Sequence, residues 1–309
     1  MRVLITGGAG FLGSHLVDHW LERGANVVVV DNLVTGDLRN LDAARESGRL
    51  EFVNADVSDG IPVDGDVDWL FHFASPASPV DFTRRPFDVL RVGSVGTLNA
   101  LEFAHARGAK FFMASTSEVY GDPEISPQPE TYLGKVNPIG PRAVYDEGKR
   151  FSEAAVMAYH RHKGMDTRIV RFFNTYGPRM RADDGRVVPN FVMQALRNEP
   201  ITVYGEGTQT RSFGYVDDSI EGVLRLADSD CTDPVNIGSQ WEFTVVEFAR
   251  LVIQLTGSKS EIVHLPPLPD DPRQRRPDTT RALERLGWKP TTSLEDGLRA
   301  TIEYFRLGL

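Results

Sequence analysis

Four groups of residues in this chain have the types and spacing to do chemistry. In "YDEGK", Tyr145 and Lys149 stand four apart, so a helix puts them on one face. An ammonium beside a phenol draws a pKa of about 10 towards neutrality, which fits the tyrosine to take a hydroxyl proton as a general base. Taken alone, such a pair also suits any amphipathic helix. The preceding "STSEVYG" sets Thr116, Ser117 and Glu118 at the end of the apolar run 110–114, where two hydroxyls and a carboxylate face the crevice of an open α/β sheet. In "LITGGAGFLGSH", Gly7, Gly10 and Gly13 stand three apart, and the stretch from Gly8 also reads G-x-G-x-x-G. Glycines there let the backbone turn tightly and approach a pyrophosphate on the N-terminal amides of the next helix, which brings Phe11 and Leu12 to the same ligand. Asp31 follows Gly13 by eighteen residues at the end of a second apolar run, placed to accept both hydroxyls of an adenosine ribose. Asn32 and Leu33 come next, with no arginine for a 2′-phosphate, so the pattern selects NAD over NADP.

These groups need a scaffold that aligns strand ends. Apolar or β-branched runs at Val3–Thr6, Asn26–Asp31, Leu50–Asp56, Asp68–Ala74, Lys110–Ser115 and Thr167–Asn174 alternate with helical stretches at Phe11–Arg23, Pro86–Arg107 and Pro141–Lys163. The alternation predicts an α/β fold: a doubly wound parallel Rossmann sheet with a smaller C-terminal α/β substrate-binding domain. The expected boundaries are 1–174 for the NAD-binding domain, with 214–239 returning to it, and 175–309 mainly for the substrate. A last helix is expected over Leu294–Arg306, and Pro266–Pro277 reads as irregular loop.

Composition bounds the rest. The 309 residues, 41% apolar, can bury a large core, and a formal charge of −9 argues against nucleic acid or an anionic membrane as partner. A single cysteine, Cys231, excludes an internal disulfide, reads as a buried thiol, and leaves no cluster of zinc-site spacing, so no metal is expected. The sequence has neither the long apolar core of a signal peptide nor a run of 18 apolar residues, which reads as a cytoplasmic protein. His72, inside an apolar run, reads as a core histidine, and Trp241, Phe243, Phe248 and Leu251 as packing residues.

Taken together, the glycine loop, the strand-end hydroxyls and Tyr145-x-x-x-Lys149 resemble the extended short-chain dehydrogenase/reductases that act on nucleotide sugars. The likeness runs over nearly the whole chain. Six segments in order, "ASTSEVYGDP", "NPIGPRAVYDEGKR", "FFNTYGPRM", "DDGRVVPNF", "VYGEGTQTRSF" and "DDPRQRRPD", narrow it to the UDP-glucuronate decarboxylases within that family. The resemblance implies a UDP-sugar substrate, tightly bound NAD and a homodimer formed through the helices that carry Arg91 and Tyr145. It implies C4 oxidation of UDP-glucuronate with Tyr145 as base, loss of carbon dioxide β to the ketone, and re-reduction to UDP-xylose. A 4-epimerase or 4,6-dehydratase on another nucleotide sugar, or a non-catalytic NAD-sensing module, are the alternatives.

The family's site carries over residue by residue. Related 4,6-dehydratases end this strand Thr-Asp-Glu; here Ser117 replaces the aspartate. A second carboxylate about 4 Å from that of glucuronate would repel it by about 4 kcal/mol at an effective dielectric of 20. In relatives the counterpart of Glu118 serves proton handling around decarboxylation, and that of Arg275 reaches either the diphosphate or the reacting sugar. Arg273 and Arg276 read as solvated loop charges. Asp56 and Val57 match adenine contacts, Ala74 and Ser75 the floor beneath the diphosphate, and Thr35, Gly36 and Thr175 further cofactor positions. Asn174, Tyr204 and Arg211 match contacts to the diphosphate and uracil, and Arg91 a substrate-side cation. Two departures stand out: Arg91 replaces a frequent lysine, and Gly93 a usual asparagine.

Overall fold

The computed structural model describes residues 1–266 and 274–309. Strands β1 (Arg2–Thr6), β2 (Asn26–Asp31), β3 (Leu50–Asn54), β4 (Trp69–His72), β5 (Lys110–Thr116) and β6 (Thr167–Phe172) form one parallel sheet with the strand Val235–Ile237. The spatial order is Val235–Ile237, β6, β5, β4, β1, β2, β3. Successive side chains on each strand enter different cores. Val3, Ile5, Val27, Val29 and Phe71 bury on one face, and Leu4, Val28, Val30, Leu70 and Phe111 on the other. A sheet covered on both faces explains why these strands read as unbroken apolar runs. Strand order reverses between β1 and β4, which opens a crevice at their C-terminal ends.

The expected helix over 86–107 is interrupted. Pro86–Arg91 and Thr97–Ala106 are α-helical, and Val92–Gly96 between them is a π-helical turn. Gly93 lies in that turn, where an added Cβ would stand 3.1 Å from the Cα of Gly148 on the helix Ala143–Lys163. The missing asparagine therefore marks a close crossing of two helices, sealed by the Ser152 hydroxyl, which donates to the Gly93 carbonyl at 2.8 Å.

After β6 the chain builds a second core around Phe191, Phe213 and Phe248, closed by Leu298 and Ile302 of the last helix, Leu294–Leu307. It also comes back to the sheet. The helix Val216–Asp228 buries Ile220 and Val223 in the first core, and Val235–Ile237 pairs with β6. Arg273 and most of the proline-rich loop lie outside the described residues; Gln274–Arg275, expected as loop, is a short strand parallel to Thr210–Ser212. Trp241 is a correction: it is exposed, whereas Phe248 is buried and Phe243 and Leu251 pack partly against the second core. His72 is a core residue, bonded through its two ring nitrogens to Thr6 and Thr97, and burial followed by the Lys149 charge lowers it to about 3. Cys231 is free and buried.

Candidate active site

The crevice is a cleft of about 850 Å³. At one end β1 runs through Gly7 and Gly10 into the helix Phe11–Glu22. Gly7 and Gly13 each have a steric reason. An added Cβ would stand 2.6 Å from the Ala74 nitrogen at Gly7, which has φ of +71°, and 2.2 Å from the Gly7 carbonyl oxygen at Gly13. No side chain caps the helix and no acidic residue stands in its first turn, so its amides and dipole are left for an anion.

Asp31, at the end of β2, accepts from the backbone nitrogens of Ala9 (3.0 Å) and Leu33 (2.8 Å), and burial raises its carboxyl. It thus ties the glycine loop to the turn after β2. Gly36 packs on it, since a Cβ there would stand 2.8 Å from Asp31 Oδ1. Asn32, Thr35, Asp56, Val57, Ala74 and Ser75 line the same end, and the Asn32 amide donates to Asp56 at 3.0 Å. A loop in which Gly7 and Gly13 leave no room for a side chain, an uncapped helix and a ribose-side carboxylate fit NAD.

At the other end, β5 delivers Thr116, and the single 3-10 turn Ser117–Tyr120 presents Ser117 and Glu118. The helix Ala143–Lys163 places Tyr145 and Lys149 opposite. Tyr145 is buried, stacked on Phe82 with centroids 4.6 Å apart, and its phenol hydrogen-bonds Thr116. The expected lowering of its pKa is corrected here. Burial, and then the Glu118 charge, push it above the ordinary value. Lys149 reaches past the phenol: its Nζ lies 5.8 Å from the ring centroid and donates to the Ala114 carbonyl at 2.9 Å. Burial lowers that amine to about 8.

Arg275, expected at the diphosphate or the reacting sugar, stands outside the cleft lining and is paired with Glu118. Its two terminal nitrogens fork onto both oxygens of Glu118, and Arg142 adds a third contact at 2.8 Å. Burial raises the Glu118 carboxyl, but the two guanidiniums outweigh it and hold it at about 2. Arg142 and Asp146 escaped the sequence reading, although both flank Tyr145 in a quoted segment. Asp146 is buried, its Oδ1 lacks a partner, and burial followed by Glu118 raises it to about 7.

Asn174 and Thr175 line the cleft, and the Asn174 amide nitrogen is buried without a partner. Arg91, Tyr204 and Arg211 stand outside the lining. Arg91 pairs instead with Asp59 at 2.9 Å on the surface, Arg211 is buried and donates to the Thr210 carbonyl, and Tyr204 is partly exposed. Among the described residues, no cluster of side chains could hold a metal ion, and no helix is long and apolar enough to cross a membrane.

Fold and cleft together define a class, the NAD-dependent extended short-chain dehydrogenase/reductases. The chain belongs to the family whose sequence model is described as GDP-mannose 4,6 dehydratase, which matches residues 4–301. It is 50% identical over 305 residues to UDP-glucuronic acid decarboxylase 1 of Xenopus tropicalis, covering 99% of this chain and 72% of that one. To UDP-glucuronic acid decarboxylase 5 of Arabidopsis thaliana it is 51% identical over 310 residues, covering 100% and 90%. The UDP-glucuronic acid 4-epimerase of Bacillus cereus, solved with UDP-glucuronic acid and NAD, superposes with a TM-score of 0.89 at 27% identity and full coverage of both chains.

Proposed function

We propose that this enzyme converts UDP-glucuronate to UDP-xylose and carbon dioxide. The relatives at about half identity carry that activity in their names. The observation that carries the reading is the strand end: a carboxylate, Glu118, held between Arg275 and Arg142 beside Tyr145, with serine rather than a second acid at 117. Two guanidiniums face one ionised carboxylate there, and Asp146 beside them holds its proton up to about neutral pH. The cluster around Glu118 therefore carries one positive charge more than it neutralises, which suits a substrate carboxylate brought against Ser117 and Glu118.

NAD, held by the glycine loop and Asp31, would supply the acceptor for the C4 hydride and the hydride for the later re-reduction. Tyr145 is the base for the C4 hydroxyl proton only as phenolate, a form that its burial and the Glu118 charge disfavour in this structure and that Lys149 and the positive charge of a bound nicotinamide would have to favour. With a ketone at C4, the carboxylate lies β to it, so the C5–C6 bond can break with its electrons held as an enolate. Ser117 and Glu118 border the C5–C6 side, where Glu118, ionised between its two arginines, orients the proton donor for C5 rather than supplying the proton itself. Asn174, with its unpartnered amide, serves the diphosphate.

A cytoplasmic homodimer belongs to the same reading. Phe87, Leu90, Val95 and Phe151 are exposed on the adjoining helical segments 86–96 and 143–163, an apolar face suited to a second copy. Incubation with UDP-glucuronate and NAD, with products resolved by mass and by chromatography that separates the C4 epimer of equal mass, tests the activity. A UDP-pentose with carbon dioxide supports it; UDP-galacturonate would instead make the enzyme a 4-epimerase.

A further inference from the structure

Arg275 lies on a strap, residues 274–278, that crosses from the second core to the sheet. One side of the strap is held by two-residue pairing with Thr210–Arg211 and by Ser212, whose hydroxyl donates to the Arg275 carbonyl at 3.2 Å. The other side rests almost entirely on Gln128, which is completely buried. The Gln128 backbone nitrogen donates to the Arg276 carbonyl at 2.8 Å, and its side-chain oxygen accepts from the Arg276 nitrogen at 2.8 Å. Its own carbonyl accepts from the Asp278 nitrogen at 3.0 Å. The side-chain nitrogen donates to the Ile125 carbonyl at 2.6 Å, which fixes the rotamer.

Gln128 is itself anchored to the sheet. Asn236, on the edge strand, donates to the carbonyls of Gln128 (2.9 Å) and Asp278 (3.1 Å) and accepts from the Tyr120 hydroxyl at 2.8 Å. Arg171 of β6 donates to that hydroxyl at 2.9 Å and forks onto Glu153, which also accepts from Ser115 at the end of β5. An unbroken buried chain of hydrogen bonds thus joins the strand that presents Thr116 to the strap that presents Arg275.

We propose that Gln128 is a positioning residue for the decarboxylation: by gripping the backbone on both sides of Arg276, it holds the Arg275 guanidinium square across Glu118. Gln128 touches no reacting atom. It acts through Arg275, and the inference rests on the reading that the Glu118–Arg275 pair serves the reaction.

The test uses Gln128→Met, which keeps length and volume but removes acceptor and donor, beside Arg275→Met and the double variant, all in the full-length enzyme with NAD. A displacement of the guanidinium of about 1 Å predicts that Gln128→Met lowers kcat about ten- to hundredfold, with bound NAD unchanged and KM for UDP-glucuronate altered less than about threefold. The acid limb of the kcat–pH profile should move to higher pH, because Glu118 loses part of the charge that keeps it ionised. In the double variant kcat should be no lower than in Arg275→Met alone. A normal kcat for Gln128→Met beside a crippled Arg275→Met, or additive losses, overturns the role of Gln128 and leaves the Glu118–Arg275 reading standing. Normal kcat for Arg275→Met overturns both. Should Gln128→Met fail to fold, Asn236→Asp, which keeps the acceptor for Tyr120 and loses both donations to the strap, must show the same fall in kcat and shift of the acid limb; a wild-type profile overturns the proposal.

Discussion

Replacing Asp146 by asparagine should make the protein more stable at pH 8 and leave it almost unchanged near pH 4. The carboxyl is 6% exposed, one of its oxygens has no partner, and its pKa is raised to about 7 first by burial and then by Glu118, against the pull of Arg142 and Arg275. In the unfolded chain it returns to about 3.9. A gap of about three pH units at 1.36 kcal/mol each amounts to about 4 kcal/mol. The sign follows from where the proton binds more tightly. The folded state holds it, so its contribution is fully present below about pH 4, declines as pH rises, and is lost once pH passes about 7. Asparagine imitates the protonated form at every pH. The difference in unfolding free energy between Asp146→Asn and wild type should therefore grow by about 2 to 4 kcal/mol from pH 4 to pH 8, the lower figure applying if Glu118 and its arginines relax. Urea unfolding of both proteins across that range, at matched NAD, measures it. A constant difference, or an asparagine variant that is less stable at pH 8, would show that the carboxylate is ionised and satisfied in the folded protein and would refute the reasoning.

Tyr145→Phe removes the base and keeps the stack on Phe82, so turnover should fall by several orders of magnitude while NAD and UDP still bind; near-normal turnover in a coupled carbon dioxide assay would sink the assignment. Gly13→Ala drives a methyl to 2.2 Å from the Gly7 carbonyl oxygen, and the purified protein should carry little or no NAD, read from its nicotinamide and adenine content; full occupancy would mean the loop can yield. Glu118→Ala leaves Arg275 and Arg142 without their shared carboxylate, which should destabilise the fold by about 3 to 5 kcal/mol and let NADH accumulate in a single turnover with UDP-glucuronate. If NADH formation stops as completely as in Tyr145→Phe, Glu118 acts in the oxidation step.

The parts that could be read from sequence were those with short-range signatures. The glycine loop, Asp31 and the strand ends at Thr6, Asp31 and Thr116 follow from local pattern, because buried parallel strands are uniformly apolar and stop where the ligand crevice begins. The π-turn over 92–96 has no such signature, since it depends on a helix 50 residues away that touches Gly93 through Gly148. Arg275 was visible as a candidate for the diphosphate or the reacting sugar, but its pairing with Glu118 was not, because that depends on a strap whose register is set by Gln128 and Thr210, far apart in sequence. The direction of the Tyr145 shift was missed for a related reason. A helical spacing puts Lys149 on the right face but cannot tell that its Nζ is taken by a strand carbonyl, or that burial and the Glu118 charge raise the phenol.

The bond from Lys149 to the Ala114 carbonyl makes β5 a common ruler for groups that would otherwise be independent. The same seven-residue strand ends in the hydroxyl of Thr116, turns into Glu118, and tethers the ammonium from the facing helix. Because strand side chains alternate with a period of two, a one-residue insertion or deletion between Lys110 and Thr116 would turn the strand-end hydroxyl to the opposite face and detach the lysine in the same event. Variation in length can then be absorbed only beyond this strand, as at the exposed turn 137–140, because Gln128 earlier in the same loop holds the strap. Drift in this enzyme is thus permitted by region: β5 admits substitution but not indels, and changes of length are confined to the segments that merely span it.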